Sequence, residues 1–393
     1  MKDIVIIANF VGGLHGTDNN RFPYLANMLC KNDSVELVAS TFCHGEKSCR
    51  TNVFNYPFKV TLLEEPGYKK NICLKRFWSH YVWGKNVLKY LMTRKKPDIV
   101  YCAVPSLTAP AKVSEYCKKN GIRFVIDIQD LWPEAFQMVF KVPVLSNLLF
   151  APFKRIAEKA YSNADEIVAV SQTYVDRALM VNKKGAKGYA IFLGTNIEKF
   201  DDNVRKNFIA KSNGSEVRLA YCGTLGNSYD LTCVFDAMLI LNKRGYTNLK
   251  FIVMGDGPLR KNFEYYSQKL CLNVVFMGRL PYDKMCGILT SCDIAINPIM
   301  HGAAQSIINK HADYAAAGIP VINTQESKEY RTLVESYGMG FICENGIVQE
   351  LALCIEKILK DDNMKYNMGC SARLCALEKF DRKKSYEKII ELL

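Results

Sequence analysis

Short apolar runs alternate with longer segments of helical periodicity in the first half of the chain. The apolar runs are 3–10, 34–40, 98–104, 123–130, 166–171 and 188–196, and the helical segments include 21–31, 108–120 and 146–163. These runs are apolar throughout instead of alternating with polar residues, which is typical of parallel strands that are buried on both faces. The pattern therefore predicts a parallel sheet built from βα units.

The same pattern restarts in the second half of the chain. Its apolar runs are 217–226, 249–257, 274–280, 293–299, 320–324 and 340–344, separated by helical segments at 230–244, 258–270, 282–291 and after 301. The intervening segment 196–216 is polar and charged, so we interpret it as a linker. We predict two doubly wound α/β domains, whose ligands should bind at loops beyond the carboxyl ends of the strands.

Length and charge refine this prediction. A chain of 393 residues suits two domains, and a hydrophobic fraction of 49% with 23% charged residues is that of a globular protein. The formal net charge is +13. Such an excess indicates an anionic partner, which could be a phosphate-bearing substrate, a membrane surface or a nucleic acid.

The fifteen cysteines are scattered and include no C-x-x-C pair, so zinc-ribbon or ferredoxin-like spacing is absent from the sequence. The apolar run at the start, "MKDIVIIANF", is shorter than the core of a signal peptide and predicts a first strand. No run approaches the roughly 20 apolar residues that span a bilayer. We expect a cytoplasmic protein with reduced thiols.

Two strand-end loops of the second half are rich in glycine. "YCGTLGNSYD" contains Gly223, Thr224 and Gly226, and "VMGDGPLR" contains Gly255. Glycines let the backbone approach a ligand closely, and the N–H groups of such turns can face an anion. Tight βα turns without a ligand account equally well for either loop alone.

The segment "HGAAQSIINKHADYAAAGIPVI" (301–322) offers a third loop followed by an Ala-rich helix. Gln305, Asn309 and Asp313 are spaced four apart and would share one helix face. N–H groups at 303–307 would bind a phosphate at the helix start, with Lys310 adding a charge. Asp313 would lie about 12 Å further along the axis, near a ribose. The alternative is the solvated side of an amphipathic helix.

Several motifs occur in an order that resembles a known family. They are "NFVGGLHGTDNNRFPYLANML", "VIDIQDLWPEAF", "GTLGNSYDL", "GDGPLR", "FMGRLPYDKM", "CDIAINPI" and "NKHADYAAAGIPVI". The set resembles retaining GT-B glycosyltransferases of family four, the glycogen-synthase-like superfamily, and most of all its bacterial surface-polysaccharide enzymes. This resemblance implies a GT-B fold, in which two Rossmann-like domains with parallel sheets face a central cleft.

The resemblance also implies the site residues for the donor. The family has two glutamates eight positions apart, of which the second corresponds to Asp313, for the ribose, and the first to Gln305. An amide at Gln305 can bind a sugar hydroxyl but supplies no negative charge, so the role of this catalytic candidate is open. Relatives often have basic residues after the first glycine loop, where this chain has "GNSYDL". The remaining donor candidates, which would meet the phosphates or line the loop, are Arg279, Ala304, Ser306, Ile307 and Lys310.

For the acceptor side, the resemblance implies Asp130 as the catalytic group that meets the acceptor hydroxyl, with Glu134 nearby and Gly12 and Gly13 forming the floor. A helix N-cap is the alternative for Asp130, and a plain turn is the alternative for the two glycines. The implied domains are an acceptor-binding domain at 1–198 and a nucleotide-sugar-binding domain at 199–375. A C-terminal helix at 376–393 would pack back on the first domain.

A metal or cofactor is not implied by the sequence. There is no D-x-D motif at a strand end, and the five histidines show no ligand spacing. The nucleotide sugar would be the donor substrate, without a further cofactor and without a metal ion.

Residues 75–96 combine aromatic and basic side chains, which suits an interfacial helix on an anionic membrane surface. The stretch 136–155 is a second candidate. An ordinary core helix with a solvated basic face is the alternative for both. A polyprenyl-linked saccharide acceptor would place the protein at the inner face of the cytoplasmic membrane.

The sequence thus predicts a retaining, metal-independent glycosyltransferase. It would move a hexose or N-acetylhexosamine from a nucleotide diphosphate sugar, with UDP as the expected nucleotide, to a lipid-linked or growing saccharide in surface polysaccharide biosynthesis. A nucleotide-sugar 2-epimerase of the same fold and a non-catalytic GT-B regulatory subunit are the alternatives. Nucleic-acid binding is not expected, because the basic residues are not concentrated on a recognition element.

Overall fold

The computed structural model of the protein describes residues 1–12, 14–15, 20–51, 53–71, 73–137, 143–210, 214–303 and 307–393. The chain forms two compact units, one made of Met1–Phe192 together with Tyr386–Leu393 and the other of Leu193–Ser385. Each unit is built on a parallel sheet with helices between the strands. The predicted α/β class with two Rossmann-like domains is therefore confirmed.

The elements up to residue 190 belong to the first unit. They are β1 (Asp3–Ala8), α1 (Arg21–Leu29), β2 (Ser34–Ser40), β3 (Phe42–Cys43), β4 (Ser48–Cys49), β5 (Lys59–Leu63), α2 (Leu74–Thr93), β6 (Ile99–Val104), α3 (Thr108–Asn120), β7 (Arg123–Ile128), α4 (Glu134–Gln137), α5 (Pro143–Ser162), β8 (Glu166–Ala169), α6 (Gln172–Leu179) and β9 (Lys187–Ala190).

The elements that follow belong to the second unit, except the last, which returns to the first. They are α7 (Ile197–Asn207), β10 (Val217–Cys222), α8 (Leu231–Lys243), β11 (Leu249–Met254), α9 (Arg260–Lys269), β12 (Val274–Gly278), α10 (Tyr282–Thr290), β13 (Ile294–Asn297), α11 (Asn309–Ala316), β14 (Val321–Asn323), α12 (Lys328–Tyr337), β15 (Gly340–Ile342), α13 (Val348–Lys360), α14 (Asp362–Cys375), a π-helical turn (Ala376–Phe380), α15 (Arg382–Ser385) and α16 (Glu387–Leu392).

The sheet of the first unit has the strand order β5-β2-β1-β6-β7-β8-β9, and its neighbouring strands are parallel. The chain proceeds outward from β1 in one direction and then restarts at β6 in the other. The crevice beyond β1 and β6 is therefore the switch point at which ligands of such sheets bind.

The sheet of the second unit has the order β12-β11-β10-β13-β14-β15, again with parallel neighbours. Here the order reverses between β10 and β13, so the loops that follow these two strands lie at the switch point. The central strands are buried along their length, as the apolar runs in the sequence predicted.

The predicted linker at 196–216 is wrong in its first half, where α7 lies. The side chain of Asn196 accepts a hydrogen bond from the Lys199 N–H and caps the helix, while Ile197 and Phe200 are buried. The buried Ile197 and Phe200 anchor a helix that is otherwise polar. Because the segment as a whole is polar, the helix was not recognised from the sequence.

Candidate functional site

Two glycine loops cross closely at the carboxyl ends of β10 and β11. The Gly223 N–H donates to the Met254 carbonyl at 2.9 Å, and the Gly255 N–H donates to the Gly278 carbonyl at 2.8 Å. Gly223 and Gly255 have φ of 146° and 151°, and a Cβ added to Gly255 would overlap the Gly223 carbonyl. Both positions have a positive φ that favours glycine, and Gly255 also needs the absence of a Cβ because of its close backbone contact.

The helix of the 301–322 segment begins later than predicted. α11 starts at Asn309, after Ile308 in extended conformation, and the Ile308 N–H lies 3.2 Å from Nδ1 of His311. The prediction of a helix start at 303–307 is therefore wrong, and Asp313 lies only about 6 Å along the axis from the first helical residue. The candidates Ala304, Gln305 and Ser306 lie outside the described residues.

Lys310 lies in the first turn of α11 and is buried. Its Nζ is 3.9 Å from the ring centroid of Tyr229 and 4.5 Å from that of Tyr221. Within the described part of the chain, this Nζ has no hydrogen-bond acceptor. Burial lowers the pKa of Lys310 to about 7. A buried ammonium held only between aromatic faces is poised to receive an anion, which would replace its lost hydration.

Gly223 lies beside this ammonium. A Cβ at Gly223 would come within 3.0 Å of Nζ of Lys310, so the glycine keeps the space next to the lysine open. Thr224 is exposed, and its carbonyl accepts a hydrogen bond from the Tyr221 hydroxyl at 2.8 Å. The first glycine loop, which also contains Gly226, and the start of α11 are thus brought together around Lys310.

Asp313 is buried one turn after Lys310. It accepts a hydrogen bond of 2.7 Å from the Tyr282 hydroxyl, which in turn lies 2.7 Å from the Thr195 hydroxyl. Burial raises the pKa of Asp313 to about 6, against the opposing effects of the Tyr282 hydrogen bond and the positive charge of Arg382. Because Lys310 and Asp313 are both buried, the alternative of a solvated helix side is wrong for them; Asn309 is exposed.

A layer of buried amides and an imidazole supports α11 from below. The Asn297 side-chain amide, at the end of β13, lies 3.1 Å from Nε2 of His311 and donates to the Asn323 side chain at 2.7 Å. The His311 ring stacks on Tyr330 with 3.6 Å between centroids. Burial holds the pKa of His311 far below its usual range, so the ring is neutral and acts in packing and positioning.

The other described donor candidates lie at the periphery of this arrangement. Ile307 is buried just before α11. Arg279 is exposed and follows Gly278, whose carbonyl bonds the Gly255 loop. Sequence reasoning missed Tyr221, Tyr229 and Tyr282, since their position beside Lys310 and Asp313 depends on contacts between distant segments.

The acceptor candidates lie in the first unit. Asp130 follows β7, is half-buried and accepts a hydrogen bond from the Trp132 indole at 3.0 Å, and burial raises its pKa. α4 begins at Glu134, so Asp130 does not stand at its N-cap. Glu134 accepts from Arg177 Nε at 2.8 Å, and the Gly12 carbonyl accepts from the Arg50 side chain. Gly13 lies outside the described residues.

Asp127, three residues before Asp130, has a structural role. It is fully buried inside β7, pairs with Nε of Arg21 at 2.7 Å and accepts from the Tyr101 hydroxyl at 2.8 Å. This network belongs to the core and not to a ligand site.

The described residues contain no group of three or more His, Cys, Asp and Glu side chains placed to hold a metal ion. None of the helices in the described ranges is long and apolar enough to cross a membrane.

Comparison with known proteins shows which proteins this chain is similar to. Residues 202–374 match the family model described as "Glycosyl transferases group 1". The complete chain is also similar in fold to Anabaena HepE in complex with UDP, with a TM-score of 0.71, 16% identity, and 100% of this chain and 99% of that chain covered. The fold is that of GT-B glycosyltransferases, as predicted.

Curated relatives extend the similarity toward the N-terminus. An uncharacterized glycosyltransferase of Methanocaldococcus jannaschii is 24% identical over 246 residues, which cover 61% of this chain and 62% of that protein. The capsular polysaccharide biosynthesis glycosyltransferase CapM of Staphylococcus aureus is 23% identical over 319 residues, covering 78% and 79%. The chain thus spans less than two thirds of the archaeal relative.

Proposed function

We propose that the protein is a glycosyltransferase that transfers a sugar from a nucleoside diphosphate sugar bound at the carboxyl end of the second sheet. The observation that carries this proposal is the buried Lys310 ammonium, which faces the open side of Gly223 one helical turn from the Asp313 carboxylate. A cation and a carboxylate at this spacing suit the diphosphate and the ribose of one nucleotide. The group 1 match supports transfer over the alternatives of a 2-epimerase and a non-catalytic subunit.

The chemistry follows from the charges. A diphosphate oxygen at Nζ of Lys310 would restore the lysine's positive charge inside a low-dielectric site, where charge stabilisation is strongest. Lys310 would then stabilise the negative charge that develops on the leaving nucleoside diphosphate. This contribution does not depend on a metal ion. Ionised Asp313 would accept hydrogen bonds from ribose hydroxyls. These would either replace the hydrogen bond from the Tyr282 hydroxyl or add to it.

We further propose the finer features of the reaction. Transfer would retain the anomeric configuration and would use a UDP-linked hexose or N-acetylhexosamine, and Asp130 would meet the acceptor hydroxyl. HepE is described in complex with UDP and with UDP-glucose, which supports a uridine donor. The similarity to CapM supports a growing or lipid-linked saccharide of a surface polysaccharide as acceptor.

The Lys310→Met variant tests the diphosphate assignment. We expect its dissociation constant for UDP, measured by calorimetry at pH 6.5, to rise by about tenfold or more, since a hydrogen bond to a charged group contributes about 1.5–3 kcal/mol. The matched control is Lys269→Met, because Lys269 is exposed in the last turn of α9. Unchanged affinity in Lys310→Met, or an equal loss in the control, would contradict the assignment.

The Asp313→Asn variant tests the ribose assignment. The wild-type protein should bind UDP about tenfold or more tightly than 2′-deoxy-UDP, because a carboxylate strongly favours a second hydroxyl donor. Asp313→Asn should lose most of this preference. Equal binding of the two nucleotides by the wild type would show that Asp313 has no ribose partner.

We also propose that α2 contacts an anionic membrane surface. Trp78 and Tyr81 are exposed and stack with 5.8 Å between centroids, and the ammonium groups of Lys85 and Lys112 lie 5.9 Å and 5.5 Å from the Tyr81 ring. On the same helix Trp83 is buried. α2 thus combines a core face with an exposed aromatic and basic face. Part of the second candidate, 136–155, lies outside the described residues.

Liposome flotation tests the membrane proposal. The wild type should float with phosphatidylglycerol vesicles and much less with phosphatidylcholine vesicles, because the basic side chains favour an anionic surface. Trp78→Ser should reduce partitioning by about tenfold, since burial of a large apolar side chain contributes about 1.5–3 kcal/mol. Met92→Ser, at the other end of α2 and also well exposed to solvent, is the control. Flotation that is insensitive to Trp78→Ser would refute this contact.

A further inference from the structure

The Asp313 carboxylate is joined to a short chain of hydroxyl groups. The Tyr282 hydroxyl, at the start of α10, donates to Oδ1 of Asp313 at 2.7 Å, and the Thr195 hydroxyl lies 2.7 Å from the Tyr282 oxygen. We call the Tyr282 and Thr195 hydroxyls the relay. Burial and the neighbouring Asp313 carboxylate hold the pKa of Tyr282 well above its usual range, so this hydroxyl keeps its proton and acts as a donor.

The direction of the hydrogen bonds in the relay follows from the number of protons. An ionised carboxylate is only an acceptor, and the Tyr282 hydroxyl has a single proton, which it gives to Asp313. The Thr195 proton is therefore directed to the Tyr282 oxygen or to the carboxylate itself. Burial raises the pKa of Asp313 to about 6, and both hydroxyls oppose this effect. Because linked hydrogen bonds polarise one another, Thr195 strengthens the hold of Tyr282 on the carboxylate.

The backbone fixes the fully buried Thr195 from both sides. Its N–H donates to the Phe380 carbonyl at 2.8 Å, and its carbonyl accepts from the Arg382 N–H at 3.1 Å. The preceding Gly194 has a φ of 60°, and a Cβ at this position would overlap the Phe380 carbonyl oxygen. The two stretches of chain therefore pack at a distance that favours glycine, and the Thr195 hydroxyl is held by them without a flexible loop.

We call these two stretches, 193–196 and 380–382, the paired segments. They lie close to the two points at which the chain passes from one unit to the other. The Arg382 side chain is buried, and its Nε donates to the Leu193 carbonyl at 2.8 Å. Its positive charge also acts to lower the pKa of Asp313 against the larger effect of burial. The paired segments thus supply both a hydroxyl and a charge to the surroundings of this carboxylate.

We propose that the relay positions the Asp313 carboxylate for the ribose of the donor, so that recognition of the ribose depends on the paired segments. With Oδ1 held by Tyr282, rotation of the carboxylate is restricted and its remaining lone pairs keep one orientation. Ribose hydroxyls would then add to the Tyr282 hydrogen bond and not replace it. Tyr282 and Thr195 are positioning residues, because they act through Asp313. This inference rests on the proposed function for the ribose.

The test compares the dissociation constants of UDP and 2′-deoxy-UDP by calorimetry at pH 7.5, above the pKa of about 6 of Asp313. Tyr282→Phe and Thr195→Val each remove one hydroxyl and keep the shape of the side chain, and Thr195→Ser restores the second hydroxyl. Tyr266→Phe is the matched control, because this hydroxyl also donates to an aspartate, Asp236, at 2.8 Å. A purely structural effect would weaken both nucleotides equally and leave their ratio unchanged.

We expect the wild-type preference for UDP over 2′-deoxy-UDP, about tenfold, to fall to about twofold in Tyr282→Phe and about fourfold in Thr195→Val. Thr195→Ser and Tyr266→Phe should keep the wild-type preference. An unchanged preference in both Tyr282→Phe and Thr195→Val, or an equal loss in Tyr266→Phe, would overturn the proposal.

Gly194→Ala tests the dependence on the paired segments. The added Cβ would displace the Phe380 carbonyl and with it the Thr195 hydroxyl, so the preference for UDP should fall about threefold or more. Gly185→Ala is the control and should leave the preference unchanged, because Gly185 has a similar φ of 66° but open space at the position of a Cβ. A wild-type preference in Gly194→Ala would show that the paired segments do not position Asp313.

Failure of the relay can be distinguished from failure of the proposed function. If the wild type binds the two nucleotides equally, the ribose assignment of Asp313 is wrong and the relay is overturned with it. If Asp313→Asn loses the preference while Tyr282→Phe and Thr195→Val keep it, the relay alone is overturned. In a transfer assay, Tyr282→Phe should raise the KM for the nucleotide sugar about fivefold and leave the KM for the acceptor unchanged.

Discussion

Lys310 is a lysine whose ammonium is enclosed by two tyrosine rings and a glycine loop instead of by water. Such an ammonium destabilises the unliganded fold, because its hydration is lost without a compensating acceptor. A bound diphosphate would reverse the sign of this contribution. In the proposed donor site, Lys310 would thus favour nucleotide binding at a loss of stability of the unliganded fold, a trade-off that is common at functional sites.

The lowered pKa of Lys310 predicts a specific dependence of stability on pH. The folded pKa of about 7 lies below the unfolded reference of 10.5, so between these values the unfolded chain binds more protons and stability rises with pH. Below pH 7 the full penalty is present. From pH 7 to 9 the free energy of unfolding of the unliganded wild type should rise by about 2 kcal/mol relative to Lys310→Met.

Urea unfolding of the wild type and of Lys310→Met at pH 7, 8 and 9 gives this difference in the free energy of unfolding. The contributions of all other titrating groups are the same in both proteins and cancel. Saturating UDP should flatten the wild-type curve, because the bound anion keeps Lys310 charged. A difference between wild type and Lys310→Met that does not change with pH would show that the ammonium is solvated in the folded protein.

At the scale of elements, the central strands and most helices were predictable, whereas α7 and the start of α11 were not. Strands such as β1 and β10 are apolar throughout because helices cover both faces of the sheet, and that composition is visible in the sequence. α7 is polar except for one short apolar stripe, and the start of α11 is set by an extended residue and a histidine contact. The apolar residues of α7 (Ile197, Phe200 and Val204) do recur at helical spacing, but they are few among many charged residues; the start of α11 has no periodic signature.

The site could be predicted only in part for the same reason. The glycines of each loop lie together directly after a strand end, where ligands of such sheets bind, and Lys310 and Asp313 lie three residues apart on one helix. The rings beside Lys310 and the Tyr282–Asp313 hydrogen bond connect segments that are distant in the chain. Such contacts depend on the packing of α10 and α11 and leave no mark in local sequence.

Crossing of the glycine loops leads to a prediction at this scale. Gly255→Ala should lower the free energy of unfolding by about 1–3 kcal/mol more than Gly245→Ala, and should also weaken UDP binding. Both glycines have positive φ, but a Cβ at Gly245 meets open space, whereas one at Gly255 overlaps the Gly223 carbonyl. The control therefore has the dihedral strain without the close contact. Equal losses in the two variants would mean that the loops can separate freely.

At the scale of the whole molecule, each unit has its own hydrophobic core. The core of the second unit includes Ile355 of α13, while the core of the first includes Ile389 of α16, which follows the entire second unit in sequence. The Tyr386 hydroxyl also accepts a hydrogen bond from Arg21 at 3.2 Å, within the buried network of Asp127. The last residues of the given chain therefore contribute to the fold of the first unit, although they are far in sequence from the rest of that unit.

Hydrogen exchange can test this assignment by location. Ile389→Ala should destabilise the first unit by about 2–5 kcal/mol, as expected for removal of a fully buried aliphatic side chain. Amide protection should then fall in β1 and β2, which surround the same core, and should change little in β10 and β11. Ile355→Ala is the matched variant, since it is equally buried and should give the opposite distribution. If Ile389→Ala instead lowers protection evenly in both sheets, the two cores do not unfold as separate units, and the C-terminal helix stabilises the molecule as a whole.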